Sequence, residues 1–360
     1  MAGNLIRWFD WKSNSRHKEN VNDALASGWI SGGPYVEHCE RILRNTFDRN
    51  ALLVANGTVA LDTVFWSAGF EKGDRILIPD YGFMAAYNAA LRFGLKPVLF
   101  PIDEKTLCPI VEETLALISK EIKAIVLVYN YGIASPDYLE IIKKARAVGV
   151  DVIEDIAEAF CSKQDSQLLG TFGDYATCSF HATKTITSGE GGMVLFKNYE
   201  KFVQAKLFIS HGLDRNSKLD YSHVLSGTNF RMSNVLASIL AAELSQFDKI
   251  LNKRRKIHEQ LFSQKFKNFK NIKIYSGNEL WAVPFLYTGM LDLSRVKEIF
   301  RSNNIEIRTG FLHPLSLNLE VSKDSEIRII EQKKIILPPS HGYLSSDELK
   351  RVIYLLSDCD

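Results

Sequence analysis

Apolar positions in the first two thirds of the chain come in two alternating kinds. Short runs rich in β-branched and aromatic residues occur at 51–54, 75–78, 96–100, 124–129, 151–153, 176–180 and 193–196, all of strand length. Between them, residues 59–68, 85–93, 111–119 and 137–147 repeat their apolar side chains at helical spacing. This alternation predicts an α/β fold, with a mostly parallel sheet and crossover helices on both faces. The run 124–129, AIVLVY, lacks period-two alternation, as a strand covered on both faces requires.

After about residue 233 the texture changes. Residues 233–264 read as one long helix whose second part carries Lys253, Arg254, Arg255 and Lys256. Such a cluster belongs on a solvated helix face; the sharper reading is steering of a phosphorylated substrate. Strand-like segments follow at 272–275, 282–287 and 305–308, with helices at 293–302 and 345–356. The last helix opens on Ser345 and Glu348, spaced as a capping box. A large domain of residues 1–245 and a small α+β domain of residues 246–360 are therefore expected. The N-terminal arm, residues 1–30, would pack on the small domain or on a partner. A length of 360 residues, at roughly 150 per domain, agrees with two domains.

Charge and cysteine content remove several classes. Lys and Arg total 44 against 42 Asp and Glu, which speaks against a nucleic-acid binder working through a broad basic face. The five cysteines are scattered, without a CxxC pair or histidines at metal-ligand spacing. That usage reads as reduced thiols in a cytoplasmic protein with no metal site. No apolar run approaches the 18 residues of a membrane span, and residues 1–10 lack the apolar stretch of a secretory signal.

Chemistry concentrates in a few polar segments. In SFHATKTITSGEGG, Lys184 lies just past a strand end in a glycine-rich loop. Burial near a sheet lowers a lysine's pKa and frees the amine to form a Schiff base with an aldehyde. Asp155 ends the run VDVIED, at the strand edge where ligands gather in parallel sheets. A buried carboxylate there needs a cation. A protonated pyridine nitrogen would serve, keeping a pyridoxal ring able to act as an electron sink; a plain helix-cap aspartate is the alternative. Asn56-Gly57-Thr58-Val59 opens a helix after the first strand, offering free N–H groups to a phosphate. Phe83, in PDYGFMAA, could stack on a planar ring.

In order, the segments GWISGGPYVEHCE, VANGTVAL, GDRILIPDYGF, VIEDIAEAF, SFHATKTITSGEGG and NFRMSNVLASI resemble the DegT/DnrJ/EryC1/StrS family of pyridoxal 5′-phosphate (PLP) dependent aminotransferases. The resemblance spans about residues 25–245, with weaker echoes in IEIRTGFLHPLS and ILPPSHGYLSSDEL. It implies the PLP-dependent transferase fold type I, like aspartate aminotransferase. Lys184 would hold PLP as a Schiff base and then shuttle a proton between substrate and cofactor. Asp155 would pair with the pyridine nitrogen and Phe83 would stack on the ring. Gly57, Thr58 and Val59 would cradle the phosphate with Ser179. Asn229 would reach the cofactor phosphate of a neighbouring subunit, implying a homodimer with shared sites. Glu158 stands where the family commonly has Gln or His near the ring hydroxyl. Trp29 and Arg231 are candidate contacts for a sugar nucleotide, with His181 and His313 as further substrate-side candidates. The family usually places a histidine after a Pro-Leu pair; here the order is His313-Pro314-Leu315-Ser316.

The implied activity is transfer of an amino group from an amino acid, L-glutamate, through a pyridoxamine form of the cofactor. The acceptor would be a nucleotide-linked keto-deoxysugar, in amino-sugar synthesis for surface polysaccharide or a glycosylated metabolite. Alternatives are a relative acting on a cyclitol or aromatic-precursor ketone, and a non-catalytic PLP-binding regulator. A 3-dehydratase of the family carries histidine where this chain has Lys184.

Overall fold

The seven strand-length runs pair into one sheet, in the order Asn50–Val54, Gly192–Phe196, Tyr175–Ser179, Asp151–Asp155, Ile122–Val128, Arg75–Pro79 and Lys96–Phe100. In this computed structural model, residues 4–214, 217, 221–309, 313–315 and 335–359 are described. The last five strands in that order run parallel. Gly192–Phe196 is antiparallel to both its neighbours. Residues 180–191, which lead into it, contain no helix, and a strand that returns without a crossover must return antiparallel. That connection carries Lys184.

Alternate side chains of each strand enter two separate cores. Leu53, Leu77, Ile125, Val152 and Ala176 point into one, and Leu52, Ile76, Val126 and Ile153 into the other. All are at most 2% exposed, and full burial of each aliphatic side chain contributes about 1.5–3 kcal/mol. Helices Gly57–Ala68 and Tyr199–Phe208 contribute to the second core.

A smaller antiparallel sheet runs in the order Phe269–Asn271, Phe285–Tyr287, Ile335–Leu337, Arg308–Thr309. Helices Leu293–Ser302 and Ser346–Asp358 bury Val296, Phe300, Val352 and Leu356 in the core that also holds Phe285 and Ile336. Ser345 and Glu348 form the expected capping box. Ile6 and Trp8 of the N-terminal arm meet this part, whereas the arm's helix Ser15–Ala26 packs on the helix Asn234–Leu244. Ile6 bridges Ile305, and Trp8 meets Trp281 edge-on with ring centroids 5.5 Å apart.

Three local expectations change. The helix expected over 233–264 is two, Asn234–Leu244 and Phe247–Phe262. Neither Gly nor Pro marks the break. Gln246 leaves helical geometry (φ −125°), and its side-chain oxygen accepts from Asn14 of the arm at 2.9 Å. The basic cluster is not a uniformly solvated face: Arg254 is 4% exposed, on the inward stripe with Leu251, Ile257 and Leu261. Residues 272–275 form no strand, and the edge strand of the small sheet is Phe269–Asn271. Among the described residues, no helix is long and apolar enough to cross a membrane, and no cluster of three or more His, Cys, Asp and Glu could hold a metal ion.

Candidate active site

Strands Asn50–Val54, Asp151–Asp155 and Tyr175–Ser179 end on the same edge of the large sheet. Their following residues line one cavity of about 830 Å³. It brings together Gly57, Thr58, Val59, Phe83, Asp155, Glu158, Ser179, His181 and Lys184 from the sequence reading. Arg308 and Trp8 close it from the small sheet and the arm.

The end of the cavity at Gly57 and Ser179 is built by close approach. Asn56 caps the helix Gly57–Ala68, its side-chain oxygen accepting the Val59 N–H at 3.0 Å. The Gly57 and Thr58 N–H groups, in the first turn, have no intrahelical acceptor. A Cβ on Gly57 would stand 2.9 Å from the Ser179 Cβ, so only glycine lets the helix start meet that strand end. The Ser179 hydroxyl accepts the His181 N–H at 3.2 Å.

Asp155 accepts the Ala157 N–H at 3.0 Å. Burial pushes its carboxyl up to about 6, although the Ala157 N–H and the Lys184 charge pull the other way. A carboxyl destabilised by desolvation and facing a cavity gains from a cation placed there. Phe83 leaves 63% of its surface exposed on the cavity wall, an uncovered ring available for stacking. These features fit PLP: N–H groups and a hydroxyl for the phosphate, a carboxylate for the ring nitrogen, an aromatic face, and a lysine.

Lys184 is held on several sides. Its Nζ lies 3.1 Å from Glu158 Oε1 and 4.2 Å from the centroid of the Trp281 ring. Glu158, 7% exposed, accepts the Tyr131 N–H through its other oxygen at 2.8 Å. The acid at this position therefore faces the lysine. His181 reaches Thr183 Oγ1 at 3.1 Å and lies 4.0 Å from Glu190.

Trp29, Asn229 and Arg231 are not among the residues lining this cavity. Trp29 is 62% exposed, and its carbonyl accepts from Asn234 at 2.7 Å. Asn229 bridges Ser210 and Arg231 bridges Val54 through the backbone. His313 pairs by its backbone with Gly82; its side chain lies outside the described residues. The sequence reading missed Trp8, Trp281 and Arg308. A charged residue closing the apolar segment IEIR was the available signal for Arg308; the tryptophans carry no local signal.

Residues 12–357 match the DegT/DnrJ/EryC1/StrS aminotransferase family. The chain belongs to that family. It is a PLP-dependent aminotransferase, with the mostly parallel α/β fold expected. GDP-perosamine synthase of Escherichia coli O157:H7 is 36% identical over 244 residues, 67% of this chain and 66% of that protein. GDP-perosamine synthase of Caulobacter vibrioides is 28% identical over 343 residues, 94% of this chain and 87% of that protein. Among solved structures, Helicobacter pylori PseC, an aminotransferase involved in the biosynthesis of pseudoaminic acid, superposes with a TM-score of 0.89. It is 20% identical and covers 98% of both chains, a likeness of fold.

Proposed function

We propose that this aminotransferase moves an amino group from L-glutamate to the keto group of a nucleotide-linked deoxysugar, in the cytoplasm. The observation that carries the reading is the convergence of Lys184, Asp155, Ser179 and the Gly57 helix start on one cavity. The acceptor class is supported by the GDP-perosamine synthases to which the chain is similar.

Bound PLP would supply the electron sink that stabilises negative charge at the substrate carbon. The residues of this chain do the rest. Lys184 would hold the cofactor covalently, and its freed amine would move a proton at the substrate carbon. Asp155 would keep a proton on the ring nitrogen, and Phe83 would cover the ring. Gly57, Thr58 and Val59 would form the phosphate cradle with the Ser179 hydroxyl. The Gly57 and Thr58 N–H groups would point their free donors at it, while the Val59 N–H stays with the Asn56 cap. Asn229 is exposed and serves the site of a neighbouring subunit, which makes the working unit a homodimer. Trp29, Arg231, His181 and His313 remain the substrate-side residues of this reading, joined by Arg308 at the cavity mouth. The chain divides in this scheme into a cofactor-binding unit to residue 245 and a smaller unit from 246.

The test is the glutamate half-reaction. The holoenzyme should convert bound PLP to its pyridoxamine form with L-glutamate, and keto-sugar nucleotides should reverse the change. Mass spectrometry of the products names the sugar. Lys184→Ala should lose the absorbance of lysine-bound cofactor and at least about a thousandfold in activity, with its circular dichroism unchanged. Unchanged cofactor absorbance in that variant sinks the assignment, and inertness to every common amino donor favours a non-catalytic binder.

A further inference from the structure

We propose that Trp281 is a positioning residue for Lys184: its indole face and the Glu158 carboxylate together seat the lysine ammonium. The proposal rests on Lys184 being the cofactor-binding lysine. Both groups contact one nitrogen, Glu158 Oε1 at 3.1 Å and the indole centroid at 4.2 Å. An ammonium over an indole face is attracted by the ring quadrupole, and more strongly where water is excluded. Here the Lys184 side chain is 14% exposed and Trp281 is 2% exposed.

The indole is fixed along its edges. Its Nε1–H donates to the Thr183 carbonyl at 2.6 Å, one residue before the lysine. Its backbone N–H donates to the Tyr131 carbonyl at 2.9 Å. The Tyr131 ring lies parallel to it, 6° off, with centroids 6.3 Å apart, and Trp8 meets it edge-on. Rotating the indole off the lysine would break the Thr183 bond and both ring contacts.

One short turn aligns both groups. The Tyr131 N–H holds Glu158, and the Tyr131 carbonyl holds Trp281. Tyr131 adopts φ 58°, ψ 6°, a left-handed conformation that costs a non-glycine residue roughly 1–2 kcal/mol. Gly132 follows at φ +93°, where a Cβ would stand 2.3 Å from the Glu279 carbonyl oxygen. Strain of this kind persists where the surroundings over-determine it, and it clusters at working sites. A turn that aligns the two partners of Lys184 gives that strain a use.

The chemistry needs such a seat. When the freed lysine amine takes a proton from the substrate carbon it becomes an ammonium inside a cavity. An ammonium left unpaired there would raise the barrier. A carboxylate and an indole face waiting at the point where the charge develops lower it without reorganising. The seat therefore acts on the rate of the proton step and leaves the donor's binding alone.

The experiment uses the holoenzyme with tetrafluorotryptophan installed at position 281 alone, which weakens the ring quadrupole and keeps its shape. The expected result is a fall of about three- to thirtyfold in the maximal rate of the glutamate half-reaction. Half-saturating glutamate should stay within about twofold and Tm unchanged. Trp281→Leu should be at least as slow, and Trp281→Phe, which keeps a π face, should recover most of the rate. A fluorinated enzyme at the wild-type rate overturns the proposal, as do Phe and Leu variants that are equally slow. Borohydride reduction and peptide mapping are run on each variant. A cofactor adduct on a lysine other than Lys184 overturns the underlying site reading instead.

Discussion

Two sides of one strand end treat their carboxylates in opposite ways. Glu154, fully buried, accepts the Tyr129 hydroxyl at 2.8 Å, the Gly170 N–H at 2.8 Å and the Gly173 N–H at 2.6 Å. Asp155, its neighbour, accepts the Ala157 N–H and lines the cavity. Burial raises both carboxyls, and on Glu154 the three donors work against the shift. A buried acid surrounded by donors from its own chain is structural. One left to face a cavity is made for something that arrives later. The protein side of this strand end is closed by donors of the chain itself, and the cavity side is left open to a ligand.

The largest effect expected from this contrast is catalytic. If Asp155 faces the ring nitrogen as proposed, Asp155→Asn removes a charge whose pairing would shift that group by about 1–3 pKa units. At roughly 1.4 kcal/mol per unit, kcat should fall by up to about a thousandfold. Glu154→Gln should keep kcat per folded molecule within about threefold. If the two substitutions exchange effects, the contrast is wrong.

The next effect is on folding. Glu154→Ala leaves the Tyr129 hydroxyl and two backbone N–H groups without their acceptor in the core. Each buried unsatisfied group costs about 1–3 kcal/mol, so with three of them urea unfolding should show a loss of at least about 3 kcal/mol. Protein that remains folded should still show the absorbance of lysine-bound cofactor. A smaller effect tests the cavity side again. In Gly57→Ala the new methyl must push on Ser179, a strain of about 1–3 kcal/mol, and PLP affinity measured by titration should fall about tenfold or more. Wild-type affinity in that variant would show that the Gly57–Ser179 approach does not shape the phosphate site.

The cavity side was also the readable side. Lys184, Asp155 and Gly57 each sit where a strand gives way to a polar or glycine-rich turn, and that punctuation is local. The seven strands were legible for the same reason, since each is a short apolar run bounded by such turns. Glu154 looks like any charged residue inside a strand; its donors at Gly170 and Gly173 arrive through a tertiary fold. Trp8 and Arg308 reach the cavity from the arm and the small sheet, and Trp281 reaches Lys184 from behind it, so nothing near them in sequence announces a site. Arg254 is different. The spacing of Leu251, Arg254, Ile257 and Leu261 places it inward, and its membership in a run of four basic residues concealed a period that was present. The break at Gln246 has no glycine or proline to announce it, and the Gln246 side chain there accepts from Asn14 of the arm, a partner far away in sequence.

The smallest effect separates the two sides by pH, in protein freed of its cofactor. Asp155 rises from 3.8 to about 6 on folding, so between those values the folded chain binds more protons than the unfolded one. Stability must then fall as pH rises through that window. The contribution is complete below about pH 4 and lost above about pH 6. The full shift would correspond to about 3 kcal/mol, and because Asp155 borders an open cavity about 1–2 kcal/mol is the fair expectation. Asp151, also raised to about 6 by burial and by Asp174, gives the wild type a slope of the same sign. The informative quantity is therefore the difference between wild type and Asp155→Asn. At pH 8 the variant should be the more stable cofactor-free protein, and near pH 4 the gap should close. With PLP bound the order at pH 8 should reverse, because the carboxylate then has its cation. A variant that is less stable than wild type at pH 8 without cofactor would mean that the fold itself already satisfies Asp155.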